Sequence, residues 1–144
     1  MNAATAGERG SEPAATPPIV LIVEDEVIIR LAIAEYLREC GFTVFEAGSA
    51  EEAVTILNAG LQVDVVFTDV QLAGKMDGFG LALWVRSNFP GAEVIVASGV
   101  TKAAKKAGDL CAESERADIS KPYDHREVER RIRLLLAARA AKGS

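Results

Sequence analysis

Apolar and polar positions along the chain switch repeatedly between a strand-like and a helix-like period. Residues 19–23 form an unbroken apolar run, the mark of a strand buried on both faces. Over residues 27–40 apolar side chains recur at helical spacing (Ile29, Ile33, Leu37), and Gly41 supplies a stop. Residues 42–47 read as a second strand. Ser49, with Glu52 three residues on, has the form of a capping box and opens a helix through Leu57. A third strand spans residues 63–68, and a helix from about Gly78 to Ser87 ends ahead of Pro90. Residues 94–97 make a fourth strand, residues 101–115 a polar helix, and Ile119 sits in a short fifth strand. Asp124 and Glu127 then cap a last helix, which carries Val128, Ile132, Leu135 and Leu136 on its inner side.

Five strands alternating with five helices imply an α/β fold, a parallel sheet with helices on both faces. The 144 residues leave room for one domain, expected over residues 19–141. Residues 1–18, rich in Ala, Gly, Pro, Ser and Thr and without apolar period, read as a flexible tail, and residues 142–144 as a short end. A hydrophobic content of 49% is enough to cover a two-faced sheet. The net charge of −5, with 21 acidic against 16 basic residues, argues against nucleic-acid binding, which needs a basic field. No apolar run approaches the roughly 20 residues of a membrane span. No secretory signal is legible, so a cytoplasmic location is expected. Cys40, Cys111 and the lone His125 have no metal-type spacing, and the cysteines read as small buried hydrophobes.

The polar residues are more informative. In open α/β sheets, ligands bind beyond the carboxyl ends of the strands. The first strand ends in Glu24, Asp25 and Glu26, the third in Thr68 and Asp69, the fourth in Ser98 and Gly99, and the fifth in Ser120, Lys121 and Pro122. Under the strand order 2-1-3-4-5, these four strands are consecutive neighbours about 4.8 Å apart. One rim then carries acid, acid, hydroxyl and ammonium in sequence. Two unit charges about 4 Å apart repel by about 4 kcal/mol at an effective dielectric of about 20. A single lysine does not offset three crowded carboxylates, so the cluster must protonate, open out or hold a cation. Its hard oxygen ligands suit Mg²⁺, with Mn²⁺ possible, rather than zinc.

The motifs IVLIVEDE at 19–26, VVFTDV at 65–70, MDG at 76–78, VIVASG at 94–99 and DISKPY at 118–123, in that order, resemble the receiver domains of two-component response regulators. The resemblance runs from about Ile19 to Ala138 and implies a flavodoxin-like, doubly wound five-stranded sheet of order 2-1-3-4-5. It implies Asp69 as phosphoacceptor, Glu24 and Asp25 as the acidic pair binding Mg²⁺ together with Asp69, and Gln71 as the donor of a backbone carbonyl to the metal. Ser98 would be the hydroxyl that turns toward the acyl phosphate, and Lys121 would pair with a phosphoryl oxygen. The implied partners are a histidine kinase or a histidine phosphotransfer protein. A downstream protein would dock on the face formed by the fourth helix, fifth strand and fifth helix. No effector domain fits after the last helix, so output is expected through binding: a phosphoacceptor signalling protein rather than an enzyme.

Three departures from the family pattern stand out. Ala73 replaces the usual proline four residues after the acceptor, in a loop that is one residue longer and should be more mobile. Asp118 stands where a switch Tyr or Phe is common. Val100 is apolar where a polar group often sits near the attacking water, which predicts a long-lived acyl phosphate. Arg126, Arg130, Arg131, Arg133 and Arg139 read as helix-dipole partners and solvated surface, or, with Lys102, Lys105 and Lys106, as a docking face for an acidic partner. Trp84 and Tyr123 read as packing, and His125 as exposed. A haloacid-dehalogenase-type phosphatase would need a second Asp at Gln71. A flavodoxin would need a hydroxyl- and glycine-rich loop where the acids stand. The stronger alternative is a receiver-shaped module that switches without phosphorylation.

Overall fold

The computed structural model describes residues 16–98, 118–120 and 124–143, with Ser98, residues 118–120 and Gly143 described by backbone alone. In chain order the elements are β1 (Ile19–Val23), α1 (Val27–Glu39), β2 (Thr43–Ala47), α2 (Ala50–Asn58), β3 (Val65–Asp69), α3 (Gly78–Asn88), β4 (Glu93–Ser98), β5 (Asp118–Ser120) and α4 (His125–Gly143). The strands pair in parallel in the order β2-β1-β3-β4-β5, as predicted. The helix expected over residues 101–115 and the residues Lys102, Lys105, Lys106, Cys111, Lys121 and Tyr123 lie outside the described residues.

Alternation along the strands divides the core in two. Val20, Ile22, Val65, Phe67, Ile95 and Ala97 face α1 and α4, meeting Ile33, Leu37, Val128 and Ile132. Leu21, Val23 and Val66 face the other way, onto Ala50, Ala53 and Leu57 of α2 and Leu81 and Val85 of α3. Successive strand side chains point to opposite faces, so an unbroken apolar run needs a helix layer on each side. Trp84 belongs to the second layer, packed beside Phe89 with ring centroids 5.5 Å apart.

Local signals set the helix ends. After α1 the Phe42 N–H donates to the Leu37 carbonyl and the Gly41 N–H to the Arg38 carbonyl. Gly41 takes φ +102°, a left-handed turn that costs a residue without Cβ least. At α2 the Ser49 hydroxyl accepts from the Glu52 N–H, but Glu52 returns its carboxylate to the Gly48 N–H rather than to that of Ser49. At α4 the Asp124 carboxylate accepts from the Arg126 N–H. The expected contribution of Glu127 to that cap is not made. Its carboxylate is taken by Arg130 at 2.7 Å and Arg131 at 3.0 Å, stronger charged donors one turn along the helix.

Arg133 and Arg139 of α4 are also engaged within the molecule. Arg133 pairs with Glu129, donates to the Cys40 carbonyl and lies over the Phe42 ring. Arg139 pairs with Asp64 at 2.7 Å and donates to the Gly91 carbonyl. His125 is half-buried rather than exposed, its ring tilted against that of Tyr36. Cys40 is half-buried at the edge of the first core layer, where burial pushes its thiol pKa up, as for an inert packing cysteine.

Candidate functional site

The carboxyl rim of the sheet gathers the predicted acids. Glu24 and Asp25 follow the last residue of β1, and the Glu24 N–H still pairs with the Ala47 carbonyl at the end of β2. Asp69 is the last residue of β3, and its register partner on β4 is Ala97. Glu24, Asp25 and Asp69 each offer a carboxylate oxygen, and these oxygens lie within 4.8 Å of one another. Glu24 is fully buried and Asp69 only 3% exposed, while Asp25 is open to solvent. Two anions sheltered from water beside a third are costly unless charge is compensated. Three carboxylates with one exposed side form a donor set that suits a hard divalent cation.

Backbone groups hold Glu24, Asp25 and the strand end that carries Asp69. Glu24 accepts from the Glu26 N–H at 3.0 Å, and its own carbonyl accepts from Arg30 of α1 at 2.9 Å. Asp25 accepts from the Ala73 N–H at 3.1 Å, across the loop that joins β3 to α3. The Val70 N–H donates to the Ala97 carbonyl, and the Val70 carbonyl accepts from the Gly78 N–H at 2.7 Å. Gly78 sits so close to this strand end that a Cβ there would run into the Asp69 carbonyl oxygen and stand 2.8 Å from the Val70 Cα.

The β3–α3 loop, expected to be loose, is tied at several points. Glu51, in the first turn of α2, accepts from the N–H groups of Lys75 and Met76, both at 3.1 Å. Its carboxyl pKa is held below the usual glutamate range, chiefly by its own backbone N–H and that of Met76, with Lys75 adding a further N–H and its charge. Leu72 and Met76 pack against the second core layer, and Asp77 caps α3 by accepting from the Gly80 N–H. Gln71 stands exposed at the start of this loop.

Of the remaining predicted residues, Ser98 ends β4 one position beyond the partner of Asp69, and its backbone pairs with Ser120 of β5. That register sets the fourth and fifth strand ends beside the acids. Lys121 and Val100 lie outside the described residues. Glu51, Arg30, Gly78 and the Ala73 N–H were not singled out by sequence reasoning. Only the MDG motif carried a signal for Gly78, and a backbone donor such as Ala73 carries none.

A separate cleft of about 420 Å³ opens at the amino ends of β3 and β4, lined by Leu57, Asp64, Asn88, Phe89 and Arg139 among others. It is on the opposite rim, and its charged groups Asp64 and Arg139 already satisfy each other. Among the described residues, no helix is long and apolar enough to cross a membrane.

Residues 20–133 match a family model described as the response regulator receiver domain. The chain is 33% identical over 118 residues to the sensor kinase CckA of Brucella abortus, covering 81% of this chain and 12% of that protein. It is 31% identical over 123 residues to the transcriptional regulatory protein AruR of Pseudomonas aeruginosa, covering 83% and 49%. The chain thus spans at most about half the length of these relatives. Among solved structures it resembles the signal receiver domain of an HD domain-containing protein from Pseudomonas fluorescens, with TM-score 0.71, 26% identity and coverage of 87% and 98%. It likewise resembles a response regulator receiver protein from Sinorhizobium medicae, with TM-score 0.71, 25% identity and coverage of 85% and 97%.

Proposed function

Because this chain belongs to the response-regulator receiver family, we propose that it is a phosphorylation switch in which Asp69 accepts a phosphoryl group from the phosphohistidine of a kinase or phosphotransfer protein. The observation that carries this reading is the convergence of Glu24, Asp25 and Asp69 on one point of the carboxyl rim.

An Asp69 oxygen attacks phosphorus in line, the P–N bond breaks, an acyl phosphate forms, and the imidazole leaves. A carboxylate is a modest nucleophile, so positioning and charge neutralisation carry most of the rate. Mg²⁺, held by these acids, would supply that neutralisation. Asp25 and Asp69 would hold it directly, Glu24 through water, and the Gln71 carbonyl would complete the set. Burial of Asp69 limits the access of bulk water to the nucleophile. Lys121 would meet a phosphoryl oxygen, and Ser98 would hydrogen-bond the acyl phosphate once formed. The signal would leave by phosphorylation-dependent binding of a protein partner in the cytoplasm, at the face around β5 and α4. The α4 arginines already paired within the chain contribute less to such a face than their number suggests.

Incubation with acetyl phosphate and Mg²⁺, followed by intact-mass measurement, tests the reading. The wild-type chain gains one phosphoryl group, and Asp69→Ala gains none. Absence of modification in the wild type would favour a receiver-shaped module that switches without phosphate.

A further inference from the structure

Between β3 and α3 the chain runs through Ala73, Gly74 and Lys75 without a proline to stiffen the loop. A loop without that stiffening loses its fixed shape unless something else orders it. Two carboxylates supply the order from opposite sides. Asp25 accepts from the Ala73 N–H on the side of the acidic cluster. Glu51 accepts from the consecutive N–H groups of Lys75 and Met76 on the other side. Gly74, between them, takes φ +102°, in the left-handed region that favours glycine. The Glu51 carboxylate is packed against it so closely that a Cβ on Gly74 would stand 2.7 Å from Oε1.

We infer that Glu51 is a positioning residue for the metal site: it clamps the β3–α3 loop, so that Ala73 orients Asp25 and the loop's opening residues stay in register with Asp69. This rests on the reading of the acidic cluster as a divalent-cation site. Glu51 belongs to α2, packed on the second core layer through Ala50, Ala53 and Leu57, so its clamp refers the loop to a rigid element. Glu51 acts through Lys75, Met76 and Ala73, with its Oε2 accepting both loop N–H groups. Partners one shell beyond a metal's ligands change affinity by about 10–100-fold when removed.

The test uses Mn²⁺ in place of Mg²⁺, titrated into the full chain and followed by loss of the free-ion EPR signal. Amide hydrogen exchange at Ala73, Lys75 and Met76 is read in parallel. Glu51→Ala should weaken Mn²⁺ binding about tenfold, at the low end of that range, and speed exchange at the three amides. Glu51→Gln keeps an acceptor oxygen and should stay within about threefold of wild type, losing only charge assistance. Gly74→Ala pushes the carboxylate off the loop from the other side and should reproduce the loss. The thermal midpoint of Glu51→Ala should remain near that of wild type, since the residue is exposed and alanine suits a helix. Wild-type affinity in Glu51→Ala overturns the inference and leaves the phosphoacceptor reading intact. Equal losses in Gln and Ala also overturn it, because they assign the effect to charge rather than to the clamp. A wild-type chain that takes up no Mn²⁺ sinks the functional reading and this inference together.

Discussion

Gly78→Ala is the smallest change that should damage both the fold and the site. An added methyl would meet the carbonyl of Asp69 and stand 2.8 Å from the Val70 Cα. That is about 1 Å inside the ~3.5–4.0 Å of favourable carbon–carbon contact. The obstructing atoms belong to the end of β3, whose neighbours are fixed by the Val70 bond to Ala97 and the Gly78 bond to Val70. No side chain can swing away, so either α3 or the Asp69 backbone must move. Overpacking of this kind costs about 1–3 kcal/mol, and rigid backbone partners place it near the upper figure. A loss of about 3 kcal/mol lowers the folding constant by roughly a hundredfold. With a urea slope of about 2 kcal/mol per molar, the midpoint falls by about 1.5 M. Gly80→Ala is the matched control. Its Cβ would meet the flexible Met76 side chain at 3.0 Å and the Asp77 Oδ1 at ordinary contact distance, 3.5 Å, in the first turn of α3, where alanine suits a helix better than glycine. Gly80→Ala should therefore be neutral or stabilising, and it should keep its phosphorylation rate. Gly78→Ala should be phosphorylated more slowly even where it is fully folded, because the displaced atoms carry Asp69, the proposed acceptor. A Gly78→Ala midpoint within experimental error of wild type would refute the reasoning.

Other outcomes follow from single observations. The Tyr36 phenol is pushed up to about 12 by burial and by its bond to Glu129. Its neutral form is thus favoured on folding. That contribution is whole below the ordinary value of 10.0 and is lost as pH rises toward about 12. Alkaline melting curves of Tyr36→Phe should lack this segment of pH dependence. Arg139→Ala removes the bonds to Asp64 and Gly91 that join α4 to the starts of β3 and β4. The pair is about a third exposed, so a loss of about 1 kcal/mol, or roughly 3 °C in melting temperature, is expected by calorimetry. The receiver resemblance implies that Val100 stands where a polar residue often serves the attacking water, so the isolated phosphoprotein should persist for minutes or longer. A decay in seconds, followed by phosphate release, would contradict that.

Much of the fold was legible because its signals are local. The unbroken apolar run of β1, the period of α1, Gly41 at its end and Ser49 at the start of α2 each act over a few residues. The places where expectation and structure part company are those where a side chain had a choice of partners. Glu52 bonds Gly48 instead of Ser49, and Glu127 prefers Arg130 and Arg131 to the helix start. His125 finds the Tyr36 ring instead of solvent. Competition between alternative partners, near in sequence or far, leaves no periodic trace.

The acids were visible from the strand ends at which they fall, since a parallel sheet delivers every such end to one rim. Residue order alone therefore determined the architecture and the site's acidic character: apolar periodicity sets the layers, and the strand ends crowd the carboxylates. Tertiary structure decided which backbone groups support those acids. That Glu51 reaches Lys75 and Met76, that Ala73 meets Asp25, and that Gly78 admits no methyl are contacts between segments set side by side only by packing of α2 and α3 on the sheet. Main-chain donors look alike at every position of a sequence, so their partners become defined only when the chain is folded around them.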